Sequence, residues 1–434
     1  MYYIEEVMIL KVDPSQVAGS VAVPGSKSHT IRAIAGALLA EGKSVVRSPL
    51  LSFDTASTLA AAIELGAKAE KFADRWEITG CGGNLTVPDK VLDMGNSGTG
   101  LRMLTAAAAL AAGKVAFTGD ESLCSRGMKP LLDALTMLKV KCESAPGGHA
   151  PLSVQGSLQG GKTQVEALCS QYLSALLFAA PCIKNGNMEI EVTKLSEEPY
   201  VEITLNWLRK LGAKFTASKD LMHFVIPGNQ TLKAFDSFIP ADFSTAAFPL
   251  GAGIVAGTSA GVIIKNLDFN DAQGDKAVFK MLEDLGAKLQ YNADNSVTVY
   301  PGKLASGTLD LGQTPDALPL LAAVAAVNEG SVITLGNAGQ ARNKETDRIA
   351  CMTRELRKMG AIIEELPDAM IITGTKLHGA VVDSWKDHRL AMALAVAALA
   401  AEGTTEILDA ESCAVTYPDF IKDFKNLNAN FREA

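Results

Sequence analysis

Paired cysteines are missing. The seven cysteines, at positions 81, 124, 142, 169, 182, 351 and 413, are odd in number, scattered, and form no Cys-x-x-Cys pair. That pattern argues against a disulfide framework, offers no ligand cluster for a metal, and fits reduced thiols in a cytoplasm. A basic balance is missing too: 40 basic against 48 acidic residues leave a net charge of -8 and a pI near 5.3. Such a chain is a poor partner for nucleic acid or an anionic membrane, so its local basic clusters point to small anionic ligands. Residues 1–14 carry Glu5, Glu6 and Asp13 with no basic segment leading into an apolar core, so neither a signal nor a transit peptide is expected. Residues 246–264 are uncharged, but they are Gly-rich and contain Pro249, and they read as a buried helix, a turn and a strand rather than a membrane span.

What is present is repetition. At 434 residues, 48% hydrophobic with 38 Gly, the chain has the composition of compact α/β material with room for two domains. A helix-ending pattern, apolar-x-x-apolar followed by Gly-Ala-Lys or a variant, recurs at residues 62–68, 135–141, 208–214, 282–288 and 356–362. With Gly66, Lys139, Gly212, Gly286 and Gly360 as markers, the spacings are 73, 73, 74 and 74. A sixth, degraded copy puts Asn428 in the marker position 68 residues further on. Each unit also holds an Ala-rich helix that is apolar nearly all round and therefore central. The expected fold is α/β (α+β): six compact subdomains, three per domain, around buried helices.

Charge is scarce, at 20% of residues, yet Arg342-Asn-Lys-Glu-Thr-Asp-Arg348 packs three cations and two carboxylates into seven positions. Read as the first turns of a helix, it places Lys344 and Arg348 at i,i+4 and Glu345 at i,i+3 from Arg348. In Pro24-Gly-Ser-Lys-Ser-His-Thr-Ile-Arg32, a turn opens an apolar helix, with Ser26 able to cap it and Lys27, Ser28 and Arg32 offering donors at its N-terminus. It is an anion site without the spacing of a Walker loop. Asn96-Ser-Gly98-Thr-Gly100 enters the next helix in the same way, Gly98 permitting close backbone approach.

Taken together and in this order, these pieces resemble the 5-enolpyruvylshikimate 3-phosphate synthase (3-phosphoshikimate 1-carboxyvinyltransferase) family. The resemblance also rests on Arg126, Ser170-Gln-Tyr-Leu-Ser-Ala-Leu-Leu177, Pro199-Tyr200, Pro315-Asp316, Lys344-Glu-Thr-Asp-Arg348, Asp387-His-Arg389 and Tyr417-Pro418, collinear over residues 24–418. It implies the two-domain enolpyruvyl transferase fold of βαβαββ-type subdomains. Residues 1–23 with 241–434 would form one domain and 24–240 the other, with the active site in the cleft between them. The implied reaction attaches the enolpyruvyl group of phosphoenolpyruvate to the 5-hydroxyl of shikimate 3-phosphate. It needs no metal or other cofactor, no nucleic acid and no membrane, and a cytoplasmic monomer is the implied form.

By the same resemblance, Asp316 is the base at the acceptor hydroxyl, and Glu345 and Lys27 deliver the proton to the enol carbon. Lys27, Arg126, Gln171, Arg348 and Arg389 surround phosphoenolpyruvate, Asn96 and Gly98 meet its phosphate, and His388 sits beside it. Ser28 and Arg32 take the shikimate carboxylate, Ser170 and Lys344 its phosphate, Gln171 contacts the acceptor as well, and Tyr200 lines the ring. A Gly at position 98 also implies glyphosate sensitivity. Five positions depart from the family pattern: Cys169, Glu197 and Gln340 in the acceptor site, Gly127 after Arg126, and Val415 in place of a Lys. Glu197 stands where a phosphate-binding Ser is usual, and the favoured expectation is a shifted loop in which Ser196 faces the phosphate and Glu197 faces solvent. The other readings are a UDP-N-acetylglucosamine enolpyruvyl transferase, for which Cys124 lies too close to Arg126, a diverged enolpyruvyl transferase acting on another cyclitol or sugar, and a non-catalytic ligand-binding paralogue.

Overall fold

The computed structural model describes residues 8–434, so the reading made on Glu5 and Glu6 lies outside the described residues. The chain forms two compact units, one from the segment up to Pro24 together with Pro240–Ala434, the other from Gly25–Ile239. Each boundary falls one residue inside the expected 24–240.

Among the described residues, six four-stranded sheets carry the architecture, three in each unit. One copy shows the plan. Strand Gly161–Ala167 leads into helix Ser170–Ala179, strand Asn187–Leu195, helix Glu198–Lys210 and the hairpin Thr216–Ala217 with His223–Pro227. The first two strands pair in parallel, and the remaining pairings are antiparallel. This is βαβαββ.

All six marker residues end a helix in the left-handed region, with φ of 115° at Gly66, 69° at Lys139, 76° at Gly212, 100° at Gly286, 94° at Gly360 and 73° at Asn428. That conformation lets the chain leave the helix and turn back into a strand, which is why Gly dominates at the position. The sixth copy reads as degraded for a topological reason. Its sheet takes a central strand, Leu10–Asp13, from the other end of the chain, antiparallel to both Thr405–Leu408 and Asn430–Glu433. Two other sheets are completed by segments beside the crossings: Val17–Ala22 pairs with Gly257–Lys265, and Asp236–Phe238 with Glu41–Arg47.

In each unit three buried helices pack on one another, Lys27–Leu39, Gly98–Ala108 and Ser170–Ala179 in one, Phe243–Ala256, Leu318–Val327 and His388–Ala398 in the other. Ala and Gly on all sides let the helices approach closely and leave no face for water. The second helix of each copy is amphipathic, as in Arg348–Lys358, which buries Ile349, Met352 and Leu356 on one stripe. Residues 246–264 belong to helix Phe243–Ala256 and strand Gly257–Lys265, which follow each other without the expected turn. Among the described residues no helix is long and apolar enough to cross a membrane.

The expected helix start also fails. Residues 344–347 are not helical: a 3-10 turn, Gly339–Asn343, ends before Lys344, and the α-helix begins only at Arg348. Asp347 caps it, its carboxylate accepting from Ala350 N at 3.0 Å, a contact that typically contributes about 1 kcal/mol. Lys344 therefore does not stand one helical turn from Arg348.

Candidate active site

In the unit Gly25–Ile239, the three buried helix starts collect the donors. Ser26 caps the first, its Oγ accepting from His29 N at 3.4 Å. Lys27 on that turn pairs with Asp54 at 3.2 Å. Arg32, one turn further, is 1% exposed. It donates to Thr204 Oγ1 (2.8 Å), Ser28 O (3.1 Å), Tyr200 O (3.1 Å) and Ser174 Oγ (3.4 Å), all neutral oxygens. Burial pushes its guanidinium down to about 10, partly offset by Tyr200, Cys169 and Glu197, so it stays charged at neutral pH.

The second helix opens at Gly98, and a Cβ there would stand 2.6 Å from Arg102 Nη1 and 3.1 Å from Arg126 Nη1. Only a residue without a side chain lets both guanidinium groups reach that helix end. Arg126 donates to the side chain of Asn96 and to Ser122 Oγ at 3.0 Å, while Asn96 Nδ2 donates to Asp120 at 2.7 Å. Arg102 reaches Gln171 Oε1 at 3.0 Å and Gly127 O at 3.3 Å, tying the second helix to the third. Tyr172 also donates to Gly127 O, at 2.6 Å, and the position where a Pro is usual has open space beside it.

The third helix start differs from expectation. Cys169 precedes it and makes no side-chain cap bond. Glu197 does not face solvent: it is 3% exposed, and its Oε2 accepts from Ser170 Oγ at 2.9 Å and Ser170 N at 3.3 Å. A left-handed φ of 58° at Glu197 turns the carboxylate inward, so the shifted loop is overturned. Ser196 is buried, with its N–H bonded to Ala167 O at 3.0 Å.

In the other unit, charge converges on Arg348, also 1% exposed. Nη1 donates to Asp316 at 2.8 Å, Nη2 to Glu345 at 2.7 Å, and Nε to Asp387 at 2.8 Å. Asp316 is met as well by Arg389 at 3.1 Å and Lys344 at 3.7 Å. Its side chain makes no helix-cap bond; the carboxylate is spent on the cations. Burial raises the Asp316 carboxyl, but Arg389, Lys344 and Arg348 overcome that and hold it well below the ordinary carboxylate range. Burial lowers Arg348, and Asp387, Glu345 and Asp316 together push it well above its usual value. His388 begins the helix that Asp387 caps, buried and 3.9 Å from Asp387 Oδ1. Gln340 lies nearby in the chain, its buried Oε1 without a hydrogen-bond partner among the described residues, and Val415 leaves its position without charge.

Two contributors were not singled out by the sequence reading. Asp387 was visible only as part of a triplet, although it anchors Arg348 and is fully buried. Arg102 lies four residues after Gly98, one turn into the same helix, and that spacing was the available signal.

The repeated βαβαββ copies that the described residues form in two units are a fold shared with solved structures. The enolpyruvyl transferase NikO from Streptomyces tendae shares the fold at a TM-score of 0.79 and 19% identity, over 99% of both chains. EPSP synthase from Acinetobacter baumannii superimposes at 0.82 with 26% identity, covering 98% of this chain and 100% of that one. Residues 12–424 match the family model for EPSP synthase (3-phosphoshikimate 1-carboxyvinyltransferase). The 3-phosphoshikimate 1-carboxyvinyltransferase of Acetivibrio thermocellus is 43% identical over 424 residues, 98% of this chain and 99% of the relative. That of Methanocella arvoryzae is 42% identical over 97% and 99%. The chain belongs to the EPSP synthase family.

Proposed function

We propose that this chain is a transferase of the shikimate pathway, moving the enolpyruvyl group of phosphoenolpyruvate onto the 5-hydroxyl of shikimate 3-phosphate and releasing phosphate. It works as a cytoplasmic monomer without a cofactor. The observation that carries the reading is the pair of carboxylates, Asp316 and Glu345, ion-paired to one buried Arg348 beside Arg389 and Lys344.

The chemistry asks for that set. Addition of the acceptor hydroxyl to the enol double bond needs a base at oxygen and an acid at C3; elimination then returns the C3 proton and breaks the C2–O bond to phosphate. Asp316 takes the hydroxyl proton, and Glu345 with Lys27 serves C3. A carboxylate gripped by three cations is a weak base. When substrate phosphate and carboxylate groups draw Lys344, Arg348 and Arg389 toward themselves, Asp316 gains basicity at the moment both substrates are bound. Arg126, Gln171, Asn96 and the Gly98 backbone hold phosphoenolpyruvate with Arg348 and Arg389, and His388 lies beside it. Ser28 and Arg32 take the acceptor carboxylate, Tyr200 its ring, and Ser170 and Lys344 its phosphate, with Gln340 next to them.

Phosphate release from phosphoenolpyruvate by the purified chain tests this. Release should require shikimate 3-phosphate and persist in a chelator. Equal turnover with UDP-N-acetylglucosamine, or none with either acceptor, would refute it.

A further inference from the structure

The helix start at Ser170 carries an anion of the chain's own. Glu197 Oε2 takes both the hydroxyl and the backbone N–H of Ser170, the first residue of a ten-residue helix. An oxygen of negative charge on those two donors fills the place that a phosphate oxygen would take at a helix N-terminus. The neighbouring guanidinium tells the same story from the other side. Arg32, bonded to four neutral oxygens, is buried within the electrostatic reach of Glu197. The corner thus holds one built-in carboxylate beside one cation whose hydrogen bonds go to neutral oxygens.

We propose that Glu197 determines acceptor specificity, its carboxylate occupying the position at the Ser170 helix start that the acceptor phosphate needs. This rests on the reading above in which Ser170 belongs to the acceptor site. A phosphorylated acceptor binds only by turning Glu197 away from Ser170, against repulsion between two anions. An acceptor with a free hydroxyl in that place meets Glu197 as a ready hydrogen-bond acceptor. The chain therefore discriminates less between shikimate 3-phosphate and shikimate than it would with a hydroxyl at position 197.

Titration calorimetry on the full chain, with shikimate 3-phosphate and with shikimate, measures this for wild type, Glu197→Ser and Glu197→Gln. Removing the carboxylate should tighten shikimate 3-phosphate by about tenfold or more, since a restored hydrogen bond to a charged group is worth at least that factor. Shikimate should bind no better, and the KM for phosphoenolpyruvate should stay within about twofold. Glu197→Gln keeps the shape of the side chain and decides the matter if the Ser variant fails to fold. Unchanged or weaker shikimate 3-phosphate binding in a folded variant overturns the proposal. Because affinity is read without turnover, a wild type that binds but releases no phosphate would sink the proposed reaction and leave Glu197 to be judged on the affinities.

Discussion

Arg32 and Arg348 are both 1% exposed, each in a different unit of the same repeated design, and their partners differ completely. Arg348 holds three carboxylates, Asp316, Glu345 and Asp387; Arg32 holds four neutral oxygens. The same burial therefore produces opposite outcomes, one guanidinium pushed above its usual value and the other lowered to about 10. The helix starts follow the same division. In one unit the buried helices begin behind Ser26, Ser97 and Cys169; in the other, two begin behind Asp242 and Asp387, and Asp316 lies in the 3-10 turn that leads into the third. A repeat fixes where helix ends fall, while the residues at those ends decide whether the positive charge is spent internally or kept for a ligand.

The sharpest way to break this contrast is to make one substitution in both places. Arg348→Met takes the shared cation from Asp316, Glu345 and the fully buried Asp387, and removing one partner of a buried ion pair costs about 3–5 kcal/mol. Thermal melting should fall steeply and activity should vanish. Arg32→Met removes a charge whose hydrogen bonds go to neutral oxygens, and Thr204 Oγ1 keeps Ser174 Oγ at 2.8 Å and Tyr200 O at 3.1 Å. Melting should barely change, while the KM for the acceptor rises about 10- to 150-fold through loss of one charged hydrogen bond. Equal destabilisation by the two substitutions would end the comparison. The smallest effect is expected from Gly98→Ala, whose methyl would press on Arg102 Nη1 at 2.6 Å and Arg126 Nη1 at 3.1 Å. Both contacts are side-chain tips that can move, so the KM for phosphoenolpyruvate should rise only several-fold, about 1 kcal/mol, with inhibition by glyphosate weakened more. Inhibition that does not compete with phosphoenolpyruvate would place Gly98 elsewhere.

The fold was legible because its signals are local. A helix that must reverse into a strand needs a left-handed residue, and Gly66, Gly212, Gly286 and Gly360 advertise it at a constant interval. The sixth copy was faint because Leu10–Asp13, its missing strand, lies at the far end of the chain. The helix starts that carry candidate site residues were legible for the same reason: Lys27, Gly98 and Ser170 stand where a turn meets an apolar run. Residues whose role depends on tertiary direction were not. Asp347 competes as a cap and delays the helix to Arg348, and nothing in the local pattern ranks it above Asn343 as a starting point. The inward turn of Glu197 depends on a single left-handed φ, which a Glu advertises no more than the shifted loop that the sequence favoured. Asp387 and Arg102 gain their importance from partners 39 and 69 residues away.

Asp316 decides the central assignment most directly, because the base reading and a purely structural reading separate in one experiment. The measurement is kcat for phosphate release by Asp316→Ala, with both substrates saturating, set beside its melting temperature. A general base contributes roughly 10²- to 10⁴-fold, so kcat should fall by about that factor while acceptor affinity changes little. A variant that turns over at the wild-type rate, or one whose loss of activity tracks unfolding alone, would contradict it.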